Sequence, residues 1–214
     1  MAKSFDQIDP AEALASIGRD FHQRGWMAGT AGNLSTRSST SNDQFWINSS
    51  GLAKGNMEAN DMILCDINSD INSDKVIQRF KSKAKPSAET SIHQAIYQCV
   101  PEANACLHIH TVDACLATEK AGEKSTELAL PPLEMVKGLG VWEQTPDVSL
   151  TLFDNTLDVG LIAAQIKRRF KHTPPQIPAL MIKHHGITVW GRSLQEAYNR
   201  VEIVEFIMSY LARR

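Results

Sequence analysis

Apolar residues recur at helical spacing in some stretches of this chain and in short alternating runs in others, so helices and strands interleave along its length. The first helix is announced by Asp9 as N-cap, Pro10 at the first helical position and Glu12 completing a box-like start. Leu14, Ile17 and Phe21 then share one face before Gly25 ends the segment. Gly29 to Ser35 is too glycine-rich for a helix and precedes a strand. Gln44 to Asn48 and Met62 to Ile67 read as short strands, the first ending at a Ser49-Ser50-Gly51 turn. The polar, lysine-bearing stretch 68–85 predicts an exposed loop or hairpin.

Pro86 and Ser87 open a helix with Ile92, Ala95, Ile96 and Cys99 on one face. Ala105 to His110 alternates as a strand, and a helix through Ala114 to Lys120 follows. Val148 to Phe153 is a strand. Asn155 to Phe170 is a helix whose basic end, Lys167-Arg168-Arg169, suits the helix dipole. Leu180 to Lys183 and Ile187 to Trp190 are strand-like runs flanking Gly186. Ser193 with Glu196 predicts a capping box for a last helix carrying Val201, Val204, Ile207 and Met208. No internal repeat or composition break divides the chain, so the expectation is one α/β domain over residues 1–214.

Composition narrows the functional classes. With 43% hydrophobic and 21% charged residues, the 214-residue chain is globular rather than disordered. A formal net charge of −2 provides no basic field for nucleic acid. No apolar run approaches the roughly 20 residues that span a bilayer, and the N-terminus lacks the apolar core of a secretory signal, so a cytoplasmic protein is expected. Cys65, Cys99, Cys106 and Cys115 form no C-x-x-C pair and read as small core residues rather than disulfides.

The chemistry concentrates in the histidines. His108 and His110 lie two apart in an alternating segment, which puts both imidazoles on one face with Cα atoms about 6.6 Å apart. Two rings so placed can converge on one ion at about 2.0–2.1 Å from each nitrogen. The plain alternative is a pair of surface histidines on a half-exposed strand. A third ligand comes from His184 or His185, at the end of an apolar run before Gly186; spacing leaves the choice open. Three histidines with one open position is the arrangement of catalytic rather than structural zinc. His22 and His172 read as solvated or core-edge residues, while His93, near Glu89, is placed to support a ligand from behind.

Three small-residue turns offer N–H groups to an anion: Gly32-Asn33, Ser49-Ser50-Gly51 and Ser87-Ala88. Lys54 adds a positive charge, although a solvated lysine is its default role. Glu89, in the first turn after Pro86, is favoured there by the dipole alone. Glu134, after Pro131-Pro132 and before Met135-Val136, sits in an apolar setting that would raise its pKa towards acid–base range.

In this order, GTAGNLS (29–35), SSGLAKG (49–55), KPSAETSIH (85–93), His108–His110 and HGITVWG (185–191) resemble the class II aldolase/adducin family over nearly the whole chain. The resemblance implies a three-layer αβα fold with a mixed, largely antiparallel central sheet, assembled as a homotetramer with active sites at subunit interfaces. It selects His185, not His184, to complete a Zn2+ site with His108 and His110, one ion per subunit. It carries phosphate contacts to Asn33, Ser50, Gly51 and Ser87, with Lys54 adjacent, and replaces a second family serine by Ala88. The stretches LEMVKGLGVWE (133–143) and GITVWGR (186–192) place the chain nearest the family's dehydratases, which eliminate water from a phosphorylated ketose. In that reading Glu134 is the principal general acid/base, and Glu89 is its partner or a contact of the ion before substrate arrives. A sugar-phosphate aldolase on the same scaffold is the nearest rival. An adducin-like interaction module is a remote one, since it predicts degraded ligands.

Overall fold

In the computed structural model, which describes residues 4–69, 76–81 and 83–214, Asp9 caps α1 (Pro10–Gln23) by accepting from the N–H groups of Ala11 and Glu12. The reciprocal arm expected of Glu12 is missing, because its carboxylate pairs with Arg19 instead. Gly25, at φ 77°, follows the helix end as expected.

Strands β1 (Asn33–Arg37), β2 (Gln44–Asn48), β3 (Met62–Asp66) and β4 (Val76–Arg79) form an antiparallel meander. β4 lies inside the stretch expected to be a loop or hairpin; residues 70–75 and 82 of that stretch fall outside the described residues. The remaining strands are β5 (Ala105–Ile109), β6 (Glu127–Ala129), β7 (Ser149–Phe153), β8 (Ala179–Ile182) and β9 (Gly186–Gly191). The sheet order is β4-β3-β2-β1-β5-β9-β8-β7-β6, and among the described residues only the β7–β8 pair is parallel.

Helices cover both faces. α1, α3 (Val112–Ala121) and α5 (Leu194–Arg213) enclose one core with Leu107, Ile109 and Val189. α2 (Thr90–Cys99) and α4 (Val159–His172) enclose the other with Ile47, Cys106 and Leu180. Because both faces of β5 are buried, its apolar neighbours alternate between the two cores, and His108 falls on the α2 side.

Several boundaries differ from expectation for identifiable reasons. α2 opens at Thr90 rather than Pro86, because Pro86 bridges to Ser49 and residues 87–89 form a turn. α3 starts earlier than expected, at Val112, where the Thr111 hydroxyl accepts from Ala114 N–H. α4 starts later, at Val159, after Asp158 caps it through Leu161 N–H. Ser193 caps α5 through Glu196 N–H as expected, but the Glu196 carboxylate reaches back to Arg192 N–H and not to Ser193. The three-residue β6 and a 3₁₀ segment at Glu134–Leu139 are too short to carry a periodic signal. No disulfide joins the four cysteines. Among the described residues no helix is long and apolar enough to cross a membrane.

Candidate metal centre

The register of three strands builds the site. His108 on β5 is paired with Asn33 on β1 and Thr188 on β9. His110 follows just beyond the strand end, with its N–H donating to the Trp26 carbonyl. The β8–β9 turn brings His185 alongside, because Ile182 and Gly186 pair at its base. Two glycines permit this approach. A Cβ on Gly186 would lie 2.2 Å from the Ile109 carbonyl oxygen. One on Gly32, already at φ 79°, would lie 2.9 Å from the His108 carbonyl oxygen.

Glu89, His108, His110 and His185 converge, each offering one ligand atom, and these atoms all lie within 4.8 Å of one another. His108 Nε2 is 2.9 Å from His110 Nε2 and 3.2 Å from Glu89 Oε2. His185 Nε2 is 2.9 Å from Glu89 Oε1. The His108 Nδ1 is turned to the Thr188 hydroxyl at 2.9 Å, which fixes the ring and leaves Nε2 facing the cluster. His184 is the residue at positive φ, 52°, in the turn, and its side chain is exposed away from the cluster. Of the two adjacent histidines, His185 is the one in the cluster.

Electrostatics favour a cation at this point. Burial pushes His108 down from its ordinary value, and burial followed by repulsion from His108 takes His110 to about 3. Burial of Glu89 works against its charge. His108, then hydrogen bonds from His185 and Asn33, more than offset that penalty and hold the carboxyl well below the usual range. Three imidazole nitrogens and one carboxylate oxygen thus face one point. This donor set, three nitrogens and one oxygen, suits a borderline divalent ion.

A cavity of about 230 Å³ opens beside the cluster, lined by Asn33, Asn48, Ser50, Gly51, Lys54 and Ser87 together with Glu89 and His110. Every phosphate-contact residue expected from sequence is here. Lys54 corrects its default role as a solvated side chain: it is 1% exposed, and its ammonium donates to the Thr30 and Leu52 carbonyls at 2.9 Å each. Desolvation lowers it to about 8, against the pull of Glu89. Ser50 N–H donates to the Lys85 carbonyl and Ser87 N–H to the Asn48 carbonyl, so these two amides are already engaged within the chain. A second opening, a groove of about 630 Å³, also borders His110 and His185 and is lined by Val112, Cys115, Leu116 and Leu157.

The structure does not bring Glu134 into the cluster. Its side chain is 84% exposed and pairs with Lys137, so the apolar setting expected for it is absent in the single chain. His22 is half-buried with Nδ1 on the Met27 carbonyl, and His172 is exposed, both away from the cluster. His93 is fully buried and bonds Asn33 and Ser35 rather than a histidine or carboxylate of the cluster.

Sequence reasoning missed Thr188 and Glu205, whose roles depend on non-local pairing. Glu205 on α5 accepts from the Thr111 hydroxyl at 2.9 Å, tying the residue after His110 to the last helix. Burial first, and then Asp113, raise Glu205 to about 7, while Thr111 and Arg213 oppose the shift. A raised carboxyl gives stability that is present below the ordinary carboxylate pKa and is lost as pH rises through about 7. Glu205→Gln is therefore expected to stabilise the protein at pH 8 by up to roughly 3 kcal/mol, with the gain vanishing at pH 4. Denaturant unfolding at both pH values checks this, and an equal gain at each would contradict it.

Known proteins agree with the geometry. The family model for the class II aldolase and adducin N-terminal domain matches residues 12–211. A methylthioribulose-1-phosphate dehydratase from Microcystis aeruginosa is 47% identical over 203 residues, covering 95% of each chain. One from Leptospira biflexa is 39% identical over 212 residues, covering 98% of this chain and 99% of that one. A solved L-fuculose-1-phosphate aldolase from Thermus thermophilus superposes with a TM-score of 0.69 at 20% identity, over 94% of this chain and 93% of that chain; at that identity it speaks for the fold alone. With the fold, the ligand cluster and the family match in accord, the chain belongs to the class II aldolase and adducin N-terminal domain family.

Proposed function

We propose that the chain is a zinc-dependent hydro-lyase of methionine salvage, dehydrating 5-methylthioribulose 1-phosphate to 2,3-diketo-5-methylthiopentyl 1-phosphate. The observation that carries this reading is a three-histidine, one-carboxylate cluster bordered by a polar cavity and an apolar groove. The two dehydratases similar over nearly the full chain support the substrate. That substrate has the same polarity: a phosphate at one end, a C2 ketone and hydroxyls in the middle, and a methylthio group at the other.

In this assignment one catalytic domain spans residues 1–214. His108, His110 and His185 hold the ion, with Glu89 as a further contact before substrate enters. When bound, a zinc ion supplies Lewis acidity at the ketone and so acidifies the neighbouring C–H. Asn33, Ser50, Gly51, Ser87 and the buried ammonium of Lys54 receive the phosphate, the lysine contributing charge that Coulomb attraction strengthens away from bulk water. The C3 proton passes to a carboxylate, the C4–O bond breaks as that oxygen gains a proton and leaves as water, and the enol relaxes to the diketone. Glu134 is the principal acid/base, with Glu89 its partner.

The exposure of Glu134 fits a homotetramer in which active sites lie at subunit interfaces. Glu134 and the neighbouring exposed Trp142 then face another copy. The methylthio tail lies against Leu116 and Leu157 in the groove. Leu116→Ser is expected to raise KM for the methylthio substrate about tenfold while kcat holds, since apolar contacts of this size are worth ~1–3 kcal/mol. Steady-state kinetics check this, and an unchanged KM would move the tail elsewhere.

The reading as a whole is tested by comparing kcat/KM for methylthioribulose 1-phosphate and ribulose 1-phosphate with zinc-loaded protein. A preference of about a hundredfold for the methylthio compound is expected. Equal turnover, or none after zinc loading, would reject the assignment.

A further inference from the structure

The α2 face of β1 carries a buried chain of hydrogen bonds that no ligand role accounts for. Asn33 and Ser35 are two apart on the strand, and His93 and Tyr97 are four apart on α2. A strand repeat of about 6.6 Å and a helix repeat of about 6 Å match, so the two pairs meet side by side. His93 is fully buried, Ser35 fully buried and Tyr97 2% exposed.

The direction of each bond can be worked out from one end. Asn33 Nδ2 lies 2.7 Å from Glu89 Oε2, where only an N–H donor can face an ionised carboxylate. The Asn33 carbonyl oxygen therefore faces His93 Nε2 at 2.6 Å, so Nε2 carries the hydrogen. Burial, and next repulsion from His108, lower His93 to about 3, so the ring is neutral and Nδ1 has a lone pair. The Ser35 hydroxyl, 2.5 Å away, donates to that lone pair in preference to the Cys106 carbonyl at 3.4 Å. The Tyr97 hydroxyl completes the chain by donating to Ser35 at 2.7 Å. Burial keeps Tyr97 protonated well above the ordinary range. Every group is satisfied in one polarity: Tyr97 to Ser35 to His93 to Asn33 to Glu89.

We propose that His93, held by Ser35 and Tyr97, is a positioning residue that locks the Asn33 amide with its NH2 group towards Glu89 and the polar cavity. This rests on the reading of that cavity as the phosphate site. One N–H of Asn33 is spent on Glu89, and the second is left for an anion in the cavity that Asn33 lines. A flipped amide would turn a carbonyl oxygen towards both negative charges. The Glu89 carboxylate and the Nε2–H of His93 select the same orientation from the two ends of the amide, and without His93 the carbonyl end has no donor to hold it.

The test uses the full-length, zinc-loaded protein and inorganic phosphate as the probe. Nitrogen-15 NMR of histidine-labelled protein is expected to show His93 neutral, with its proton on Nε2, from pH 6 to 8. Titration of phosphate against His93→Leu is expected to show affinity reduced tenfold or more at unchanged zinc content, the loss anticipated for a hydrogen bond to a charged group. His93→Gln keeps an N–H donor near the Nε2 position and is expected to stay within about threefold of wild type. A proton on Nδ1, or wild-type phosphate affinity in His93→Leu, overturns the proposal while leaving the phosphate cavity intact. Wild-type protein that ignores phosphate removes the cavity reading itself. Should His93→Leu fail to fold, the wild-type tautomer and the His93→Gln titration decide.

Discussion

Replacing His108 by alanine is expected to abolish stoichiometric zinc binding and to lower turnover by three orders of magnitude or more. Its ring is the best-held ligand of the cluster, 1% exposed, with Nδ1 fixed by Thr188 and Nε2 within reach of both His110 and Glu89. Removal takes away one of three nitrogen donors and one of the three partners of the Glu89 carboxylate. Losing an outer support of a ligand already costs about 10–100-fold in affinity or activity, so loss of the ligand itself should exceed that. His184→Ala is the matched control: it changes the adjacent histidine, exposed in the turn, and should retain full metal content. Metal analysis and kinetics on the two variants check the claim together. If the purified wild-type protein held no stoichiometric divalent metal and His108→Ala changed nothing, an interaction module of the adducin type would become the better account.

Glu134→Gln should lower kcat by about 10²–10⁴-fold, the range for loss of a general acid/base, with zinc content and thermal stability unchanged. The fold of the single chain does not depend on this side chain, whose ion pair to Lys137 is a surface pair worth little. Glu89→Gln should behave differently. Its carboxylate touches His108, His185 and Asn33, so that substitution alters metal affinity along with rate. Pre-steady-state rates at saturating zinc separate the two. A Glu134→Gln enzyme within tenfold of wild type, beside an inactive Glu89→Gln enzyme, would transfer the principal role to Glu89.

What could be seen in the sequence was local. The i, i+2 spacing of His108 and His110 placed two imidazoles on one face before any strand was observed, and Gly186 marked the turn that delivers the third. Asp9, Ser193 and the apolar periodicity of α1 and α5 located helix starts from contacts within a few residues. The choice between His184 and His185 was beyond spacing, because it depends on which residue adopts positive φ in the β8–β9 turn. Lys54 read as solvated because nothing nearby in sequence announces that the Thr30 carbonyl will cover it. Glu89 lies before α2 rather than in its first turn, since Pro86 pairs with Ser49 far back in the chain. Thr188 and the Tyr97–Ser35–His93 chain depend wholly on register between distant strands. Glu134 is instructive for its surroundings: apolar neighbours in sequence did not become apolar neighbours in space, and its side chain is exposed in the single chain.

The central claim is elimination of water from an intact carbon skeleton, and product identification tests it most directly. Zinc-loaded protein incubated with methylthioribulose 1-phosphate labelled with carbon-13 along the chain should yield a single five-carbon 2,3-diketone phosphate, every labelled C–C coupling preserved. Appearance of two smaller labelled fragments would show carbon–carbon cleavage and contradict the account.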